Sequence, residues 1–324
     1  GEGPVIAVPD SLVALGAAGR AALRRVHPIV AAITGSVGKT TTRAMLGSML
    51  QRTGPGLQTE GNFNNRIGLP LTLLGVRPEH RWAVLEMGMS EPGEIRALAA
   101  IAEPSVRVIT EVAPAHLQFF SSIEQIADAK GELFEAARPG DTLVFPADNP
   151  LCDRFPRPRG ARVLSFSTRD HTSADVSASN VEDLGLAGSQ ARFHLPAGSV
   201  DVRIPIPGLH QIHNALAAAA AASAMNLPLD HIAGGLASLV VPGRRMLVRT
   251  LRGITFLDDA YNANPLSVAA GLQTLAALQV TRGLGRSVAV LGDMLELGPT
   301  APDLHADVGR LAVHLGLDLL VGSG

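Results

Sequence analysis

Short apolar runs rich in β-branched residues alternate with helical patterns along most of this 324-residue chain. The strand patterns before residue 170 lie at 29–34, 82–86, 106–112, 141–146 and 162–167. Three helical patterns separate them: one at 40–51, one from about 92 with Ser90 as the predicted cap, and one at 122–137 with a capping box of Ser122 and Gln125. Strands that alternate with helices favour parallel pairing in a doubly wound sheet. We therefore predict an α/β fold around a mostly parallel sheet.

The second half of the chain begins with a different pattern. Short alternating stretches such as 191–195 and 200–206 predict a small antiparallel excursion, and a helix is predicted from about 210 to 225. The Val-Pro-Gly sequence at 241–243 is typical of a domain junction. After it, strand patterns at 254–258, 287–291 and 317–321 alternate with helical patterns at 266–278 and 303–315. We predict a central domain over 29–241 and a Rossmann-like α/β domain over 242–324, which is incomplete because it has only three strands.

The sequence TGSVGKTTT at 34–42 joins the first strand pattern to a helical pattern. Glycines let backbone N–H groups face phosphate oxygens, and the helix N-terminus adds a favourable partial charge. Lys39 is the expected contact of the β- and γ-phosphates, and the Thr40 hydroxyl is an expected Mg²⁺ ligand. The match to the Walker pattern is imperfect because Ile33 stands where its first glycine belongs, so a glycine-rich turn with a chance lysine is the alternative. The predicted nucleotide contacts of this loop are Gly35, Ser36, Val37, Gly38, Lys39, Thr40 and Thr41.

Lysine is used at only two positions among the 27 basic residues, Lys39 and Lys130, and the others are arginine. A guanidinium stays charged and forked, so arginine cannot replace an amine where a compact, titratable nitrogen is needed. Lys130 lies on the helix that begins near Ser122, where it is either a solvated helix residue or a functional amine. The rarity of lysine elsewhere favours a chemical role for both amines.

Two further residues follow strand patterns and are candidate metal ligands. Glu86 ends the pattern at 82–86, which places a carboxylate at the carboxyl edge of the predicted sheet, where open α/β folds bind ligands. Mg²⁺ prefers such oxygen ligands, although a solvated loop glutamate is the alternative. His116 also follows a strand end, and a structural histidine is its alternative.

Charge and composition exclude several classes of protein. A net charge of −2 and a pI near 6.6 give no electrostatic footprint for nucleic acid. The single cysteine, Cys152, excludes an internal disulfide and a cysteine-based zinc site. The sequence contains no apolar run of the roughly 20 residues that span a membrane, and no secretory signal pattern. We expect a cytoplasmic protein without membrane insertion or a nucleic-acid partner.

Several motifs together resemble the Mur ligase family: ITGSVGKTTT (33–42), TEGNFNNRIGLPLTLL (59–74), LEMGMSEPGEI (85–95), DDAYNANP (258–265) and LGDMLELG (291–298). Their order and spacing cover nearly the whole chain. GNFNN and DDAYNANP resemble the member of the family that adds D-alanyl-D-alanine. The resemblance implies an ATP-dependent, ADP-forming ligase of peptidoglycan precursor synthesis. It would join UDP-N-acetylmuramoyl-tripeptide to D-alanyl-D-alanine through an acyl phosphate.

The resemblance also implies roles for individual residues. Lys39, Lys130 and His116 would be catalytic, and Lys130 would carry the carbamate that this family forms on a lysine. Two Mg²⁺ ions are expected, with Thr40, Glu86, His116 and the carbamylated Lys130 as their ligands. Further nucleotide contacts would come from His210, Asn214, Arg244 and Asp259. Substrate contacts would come from Asn62, Asn64, Asn65 and Asn262.

The chain departs from the family pattern at its ends. Relatives of full length carry an N-terminal domain that binds the UDP group, and residues 1–28 resemble only the tail of that domain and a linker. We therefore expect a fragment of a longer protein, and a monomer. Three alternatives to the ligase hypothesis remain: a Mur-superfamily ligase for another amino acid, a non-catalytic ATP-binding fragment, and a P-loop hydrolase without ligation.

Overall fold

The computed structural model describes residues 5–114, 118–169, 174–240, 243–282 and 285–324. Its α-helices are α1 Ser11–Val26, α2 Lys39–Leu50, α3 Gly68–Leu74, α4 Glu94–Ala102, α5 Ile123–Glu135, α6 His210–Ala224, α7 Leu229–Ala237, α8 Pro265–Arg282 and α9 Ala301–His314. Its strands are β1 Ile29–Thr34, β2 Gly56–Gln58, β3 Trp82–Glu86, β4 Val106–Ile109, β5 Thr142–Pro146, β6 Arg162–Ser167, β7 Val176–Asp183, β8 Ser189–Leu195, β9 Gly198–Ile204, β10 Leu247–Leu251, β11 Ile254–Asp258, β12 Val288–Gly292 and β13 Leu319–Ser323.

The largest sheet contains nine strands in the order β2-β3-β1-β4-β5-β6-β7-β8-β9. The strands from β2 to β7 pair in parallel, and β8 and β9 continue the sheet in antiparallel pairing. This arrangement confirms the predicted mostly parallel sheet with an antiparallel excursion. The strand β1 lies between β3 and β4, so the loops that follow these three strands meet at one edge of the sheet.

Helices cover both faces of this sheet, because the strand β1 buries side chains on both sides. Ala31 and Ile33 belong to one core, which α2, α6 and α7 cover. Val30 and Ala32 point to the opposite side, as alternate residues of a strand do, into a core that α3, α4 and α5 cover. The helix α6 packs closely in the first core because its residues from 215 to 222 are alanines apart from Leu216.

Two predictions about helix starts have different outcomes. Ser122 caps α5 and accepts a hydrogen bond from the backbone N–H of Gln125 at 3.4 Å, as predicted. Ser90 does not cap α4, because the helix begins one turn later, after Gly93. A tertiary contact replaces the local cap: the carboxylate of Glu132, on α5, accepts hydrogen bonds from the N–H groups of Gly93 at 2.7 Å and Arg96 at 3.1 Å.

The C-terminal part differs from the simple alternation that the sequence predicts. The strand β11 pairs in antiparallel with β10, an unpredicted strand, and these two form a separate hairpin. The strands β12 and β13 pair in parallel, and α8 and α9 pack on them around a third, smaller core. Met246, just before the hairpin, is buried in the core of the nine-stranded sheet, so this segment attaches the two parts to each other.

Three helices were missed from the sequence. The helix α1 lies within residues 1–28, and its Gly19 approaches Pro70 of α3 so closely that an added Cβ would stand 3.0 Å from the Pro70 Cα. The other two are α3 and α7. Across the described ranges, every helix is too short or too polar to cross a membrane.

Candidate active site

The loop between β1 and α2 is held in its conformation by the segment that follows β4 and by the helix α6. Gly38 precedes α2 with φ of 82°. An added Cβ there would stand 2.2 Å from Oδ1 of Asn214, so only glycine fits this position. The Ser36 hydroxyl donates a hydrogen bond to the carbonyl of Ala113 at 2.8 Å, and Thr110 donates one to the carbonyl of Val37 at 2.5 Å. These contacts fix the conformation of the loop.

Lys39 opens the helix α2, and its amine donates a hydrogen bond to the carbonyl of Gly35 at 2.7 Å. Burial lowers the pKa of this amine, Glu86 opposes that change, and the nearby charge of Arg245 lowers the pKa further. The amine is therefore held by its own loop, at the N-terminus of a helix, where an anion would be bound.

Glu86 is 4% exposed and connects three elements around the loop. One carboxylate oxygen accepts a hydrogen bond from the Thr40 hydroxyl at 2.9 Å, and the other accepts one from the Asn64 amide at 3.0 Å. The Nε atom of Arg43 lies 3.5 Å from the first oxygen. Sequence reasoning missed Arg43, although its position four residues after Lys39 places it on the same face of α2.

The oxygens of Thr40 and Glu86 have the chemistry that Mg²⁺ prefers, and they lie 2.9 Å apart beside the glycine-rich loop. These two residues therefore fit a Mg²⁺ site. Within the described ranges, no cluster of three histidine, cysteine, aspartate or glutamate side chains is placed to bind a metal. The predicted ligand His116 lies outside the described residues.

Lys130 is only 2% exposed, so the solvated-residue alternative does not describe its surroundings. Burial lowers the pKa of its amine well below the usual range, and the charge of Lys39 lowers it further. The two lysines of the chain are therefore close enough in space to affect each other electrostatically. In the described part of the chain, no carboxylate forms an ion pair with the Lys130 amine.

A cavity of about 410 Å³ lies between the loop and the C-terminal part. Several predicted site residues line it, namely Ser36, Val37, Gly38, Lys39, Thr40, Asn62, Asn64, Asn65, Glu86, Asp259 and Asn262. The strand ends of the large sheet, the segment before α3 and the segment after β11 thus converge on one space. Sequence reasoning gave no role to several other residues that line this cavity, among them Tyr261 and Arg245.

The other predicted nucleotide contacts lie around the loop rather than along the cavity. Gly35 and Thr41 belong to the buried side of the loop and of α2. Asn214, on α6, contacts Gly38 through its side-chain oxygen, and its side-chain amide donates a hydrogen bond to the side chain of Gln211 at 2.9 Å. His210, at the start of α6, has a pKa lowered to about 4 by burial and by His213.

The two adjacent arginines after the junction have different surroundings. Arg244 is exposed and lies 3.6 Å from the carboxylate of Asp258. Arg245 lines the cavity, and its guanidinium lies 4.3 Å from the centre of the Tyr261 ring. Asp259, in the same cavity, has a pKa raised to about 6, mainly by burial, and its carboxylate accepts a hydrogen bond from the Met246 N–H at 3.1 Å. No sequence signal distinguishes which of the two arginines faces the cavity.

Two family models match this chain. The Mur ligase middle domain matches residues 33–222, and the model described as Mur ligase, glutamate ligase domain matches residues 243–322. Among solved structures, MurF from Acinetobacter baumannii superposes with a TM-score of 0.91 at 35% identity, over 99% of this chain and 70% of that one. MurF from Thermotoga maritima, in complex with ADP, superposes with a TM-score of 0.84 at 28% identity, over 98% of this chain and 76% of that one.

Curated proteins show the same similarity. The UDP-N-acetylmuramoyl-tripeptide–D-alanyl-D-alanine ligase of Escherichia coli is 36% identical over 99% of this chain and 70% of its own length. The ligase of the same name from Bacillus subtilis is 36% identical over 95% of this chain and 65% of its own length. This chain therefore spans about two thirds of the length of these relatives. From the match of the middle-domain model and the identity to these ligases, we conclude that the chain belongs to the Mur ligase family.

Proposed function

We propose that this chain catalyses the ATP-dependent addition of D-alanyl-D-alanine to UDP-N-acetylmuramoyl-tripeptide, a step of peptidoglycan precursor synthesis. The observation that carries the proposal is the shared cavity, in which Lys39 and Thr40 of the phosphate loop face Asn64 and Asn262 of two other segments. A phosphate loop alone would serve hydrolysis, whereas this cavity brings the loop beside polar groups that would bind two further substrates. The names of relatives that are 36% identical support the same reaction.

The reaction has two chemical steps. The γ-phosphoryl group moves from ATP to a carboxylate oxygen of the tripeptide, which gives ADP and an acyl phosphate. The amine of D-alanyl-D-alanine then attacks the acyl carbon, and the tetrahedral intermediate expels phosphate as the nitrogen loses a proton. Both steps develop negative charge on clustered oxygens, so preorganised cations and N–H groups stabilise the transition states.

Lys39 and the backbone N–H groups of the loop would stabilise the negative charge that develops on the phosphate oxygens. The amine now bonded to the Gly35 carbonyl is free to turn to the β- and γ-phosphates when ATP binds, since its partner is a neutral acceptor. The N–H groups at the start of α2 face the same position. We propose His210, Asn214, Arg244 and Asp259 as the further contacts of the nucleotide.

Thr40 and Glu86 would hold one Mg²⁺, with His116 as a further proposed ligand of the two ions. When bound, Mg²⁺ supplies charge neutralisation on the phosphate oxygens. Glu86 is prepared for this role because the Asn64 amide fixes its second oxygen and Arg43 balances its charge. Asn64 thereby connects the metal site to the segment proposed to bind the muramyl-peptide, together with Asn62 and Asn65.

We also propose that Lys130 is carbamylated. Carbon dioxide reacts only with the neutral form of an amine, and the lowered pKa of Lys130 favours that form. A carbamate would change a buried cation, repelled by Lys39, into an anion attracted to it, and would offer oxygen ligands to the second Mg²⁺. A cytoplasmic location and a monomeric state also stay predictions.

Phosphate release measured with and without each substrate tests the proposal. We expect sustained ADP formation to need both UDP-N-acetylmuramoyl-tripeptide and D-alanyl-D-alanine, because the acyl phosphate forms only on the bound acceptor and is consumed by the dipeptide amine. Equal ATP turnover in the absence of both would show a hydrolase instead. Substituting single amino acids for the dipeptide distinguishes the proposed ligase from one that adds another amine, since the preferred amine gives the largest rate.

A further inference from the structure

Among the described residues, three carboxylates line the cavity, and they differ in their surroundings. Both oxygens of Glu86 accept hydrogen bonds, and Arg43 lies 3.5 Å from one of them. Burial raises the pKa of Asp259 to about 6, so the charged form of this side chain is disfavoured. Glu94, the first residue of α4, is half-buried and forms no ion pair with a described residue, since Arg96 pairs with other carboxylates. Glu94 is therefore the carboxylate of this cavity that is available to a positively charged ligand.

The Glu94 side chain is fixed through one of its two oxygens. Its Oε2 atom accepts hydrogen bonds from the backbone N–H groups of Ser90 at 2.6 Å and Glu91 at 3.1 Å. In the part of the chain that the structure describes, its Oε1 atom accepts no hydrogen bond. The turn itself is held from another helix, because the Glu132 carboxylate of α5 accepts the N–H of Gly93 at 2.7 Å. The side chain is thus held in place while Oε1 stays available to a donor.

The segment that carries Glu94 forms one wall of the cavity. Five of its residues line this space, namely Glu86, Gly88, Met89, Ser90 and Glu94. The Gly88 N–H donates a hydrogen bond to the carbonyl of Asn64 at 2.8 Å, which fixes the wall against the segment before α3. Glu94 and the proposed Mg²⁺ ligand Glu86 therefore border one space, in which the acyl phosphate would form.

The charges of the substrates indicate which ligand suits this carboxylate. ATP and the acceptor carboxylate are anions, which Lys39 and the loop N–H groups attract. The pKa of an α-amino group is about 8, so the incoming dipeptide carries mostly an ammonium group at neutral pH, which Lys39 repels. An ammonium group has three N–H donors, and the Ser90 hydroxyl beside Glu94 offers a second acceptor in the cavity. Glu94 belongs to no described cluster of three metal-binding side chains, so an ammonium group fits it better than Mg²⁺ does.

We propose that Glu94 binds the ammonium group of the incoming dipeptide through its Oε1 atom. The inference rests on the proposed function of the site as an amide-forming ligase, and it names a contact of the second substrate. The contact selects substrates with a free amino terminus and holds the nitrogen in the cavity where the acceptor is activated. The nitrogen then loses a proton and attacks the acyl carbon, as in the reaction above.

Steady-state kinetics of phosphate release on Glu94→Gln tests this. Glutamine keeps the size of the side chain and an oxygen that can accept both backbone N–H groups, so the substitution removes mainly the charge. We expect the KM for D-alanyl-D-alanine to rise about 10- to 100-fold, the effect of losing a charge-assisted hydrogen bond. The KM values for ATP and for UDP-N-acetylmuramoyl-tripeptide should change less than about threefold. Glu91, an exposed carboxylate of the same turn, is the matched control, and Glu91→Gln should leave all three KM values unchanged.

A dipeptide analogue without the amine identifies the group that Glu94 contacts. N-propionyl-D-alanine is D-alanyl-D-alanine without its amino group, so it can inhibit the reaction but cannot be ligated. We expect Glu94→Gln to change its inhibition constant less than about threefold, although the KM for the dipeptide rises. A structural role of Glu94 in the turn would weaken both ligands equally, and that result would overturn the inference.

The outcomes separate this inference from the proposed function. An unchanged KM for the dipeptide in Glu94→Gln, or an equal rise in the KM for UDP-N-acetylmuramoyl-tripeptide, would overturn the assignment of Glu94. The dependence of wild type on the dipeptide would still support the ligase function. If wild type releases phosphate equally without any amine, the proposed function and this inference both fail. If wild type prefers another amino acid, a tenfold rise in the KM for that amine would support the assignment of Glu94 while the choice of dipeptide fails.

Discussion

Replacing Lys130 with methionine should stabilise the protein and remove its ATP-driven activity. Lys130 is 2% exposed, and no described carboxylate forms an ion pair with its amine. Burying an amine without an ion-pair partner costs about 1 to 3 kcal/mol of stability, and methionine fills nearly the same volume without this cost. In a domain of this size each kcal/mol raises the melting temperature by about 2 to 4 °C. This sign holds for the amine without a carbamate, so unfolding is measured in buffer freed of carbon dioxide, because a carbamate attracted to Lys39 would itself stabilise the folded state.

A second buried cation provides the matched control. Arg107 is also 2% exposed, but its guanidinium lies 3.2 Å from the Asp141 carboxylate and donates hydrogen bonds to the carbonyls of Leu133 at 2.7 Å and Ala136 at 3.0 Å. Removing one partner of such a buried pair costs about 3 to 5 kcal/mol. Arg107→Met should therefore lower the free energy of unfolding, in contrast to Lys130→Met.

Chemical denaturation and phosphate release are measured on wild type and on the Lys130→Met, Lys130→Ala and Arg107→Met variants. We expect Lys130→Met to unfold at a higher denaturant concentration than wild type and to release no phosphate above background. Lys130→Ala leaves room for a small molecule, so bicarbonate or a short carboxylic acid should partly restore its activity. Destabilisation of the size seen in Arg107→Met would show that Lys130 is a structural residue. Wild-type activity in either Lys130 variant would refute the carbamate.

Three further predictions concern single residues. Gly38→Ala should weaken ATP binding at least about tenfold in calorimetry, because the Cβ would displace Asn214, whereas Gly140→Ala, with φ of 92° and open space, should only lower stability by about 1 to 2 kcal/mol. Glu86→Gln should abolish the dependence of ATP affinity on Mg²⁺, and an unchanged magnesium titration would contradict the proposed ligand. Asp259 has a folded pKa of about 6, above its unfolded value of 3.8, so the folded state binds the extra proton and gains stability as the pH falls through this window. Asp259→Asn should therefore be more stable than wild type by about 1 to 2 kcal/mol above pH 6, and thermal melts should show this advantage disappear below about pH 4.

The alternation of strands and helices was sufficient to predict the large sheet and the place where its strand ends meet. Buried strands such as β1 are continuous apolar runs, and the residues that follow them lie at the carboxyl edge of the sheet. The proximity of Lys39 and Glu86 could therefore be predicted from the sequence. The helix α3 was missed because its sequence, GLPLTLL, has glycine and proline in the first turn and too few residues for a helical period. The cap of α4 was wrong because Glu132, from another helix, supplies it.

The C-terminal side of the cavity was harder to predict for a physical reason. The orientation of Arg245 depends on the left-handed backbone of Met246, a residue type that rarely adopts it and that gives no signal in the sequence. The left-handed turn is stabilised by burial of the Met246 side chain in the neighbouring domain and by Asp259. Such long-range contacts decide between two adjacent arginines, and local patterns contain no information about them. Resemblance to a family identified Arg244, and its role stays a prediction.

The alanine helix α6 also limits which substitutions the chain can accept. Every residue from 215 to 222 has 0% exposure, so this helix has no face toward solvent over two full turns. A larger side chain at these positions would push α6 away from the helix α2 or from the strands on which it packs, and would thereby shift Asn214 from Gly38. A saturation mutagenesis scan should therefore find uniform intolerance along the segment, without the three- to four-residue rhythm of a surface helix. The small volume between α6 and its neighbours therefore limits the side chains that this segment can accept during evolution to small ones.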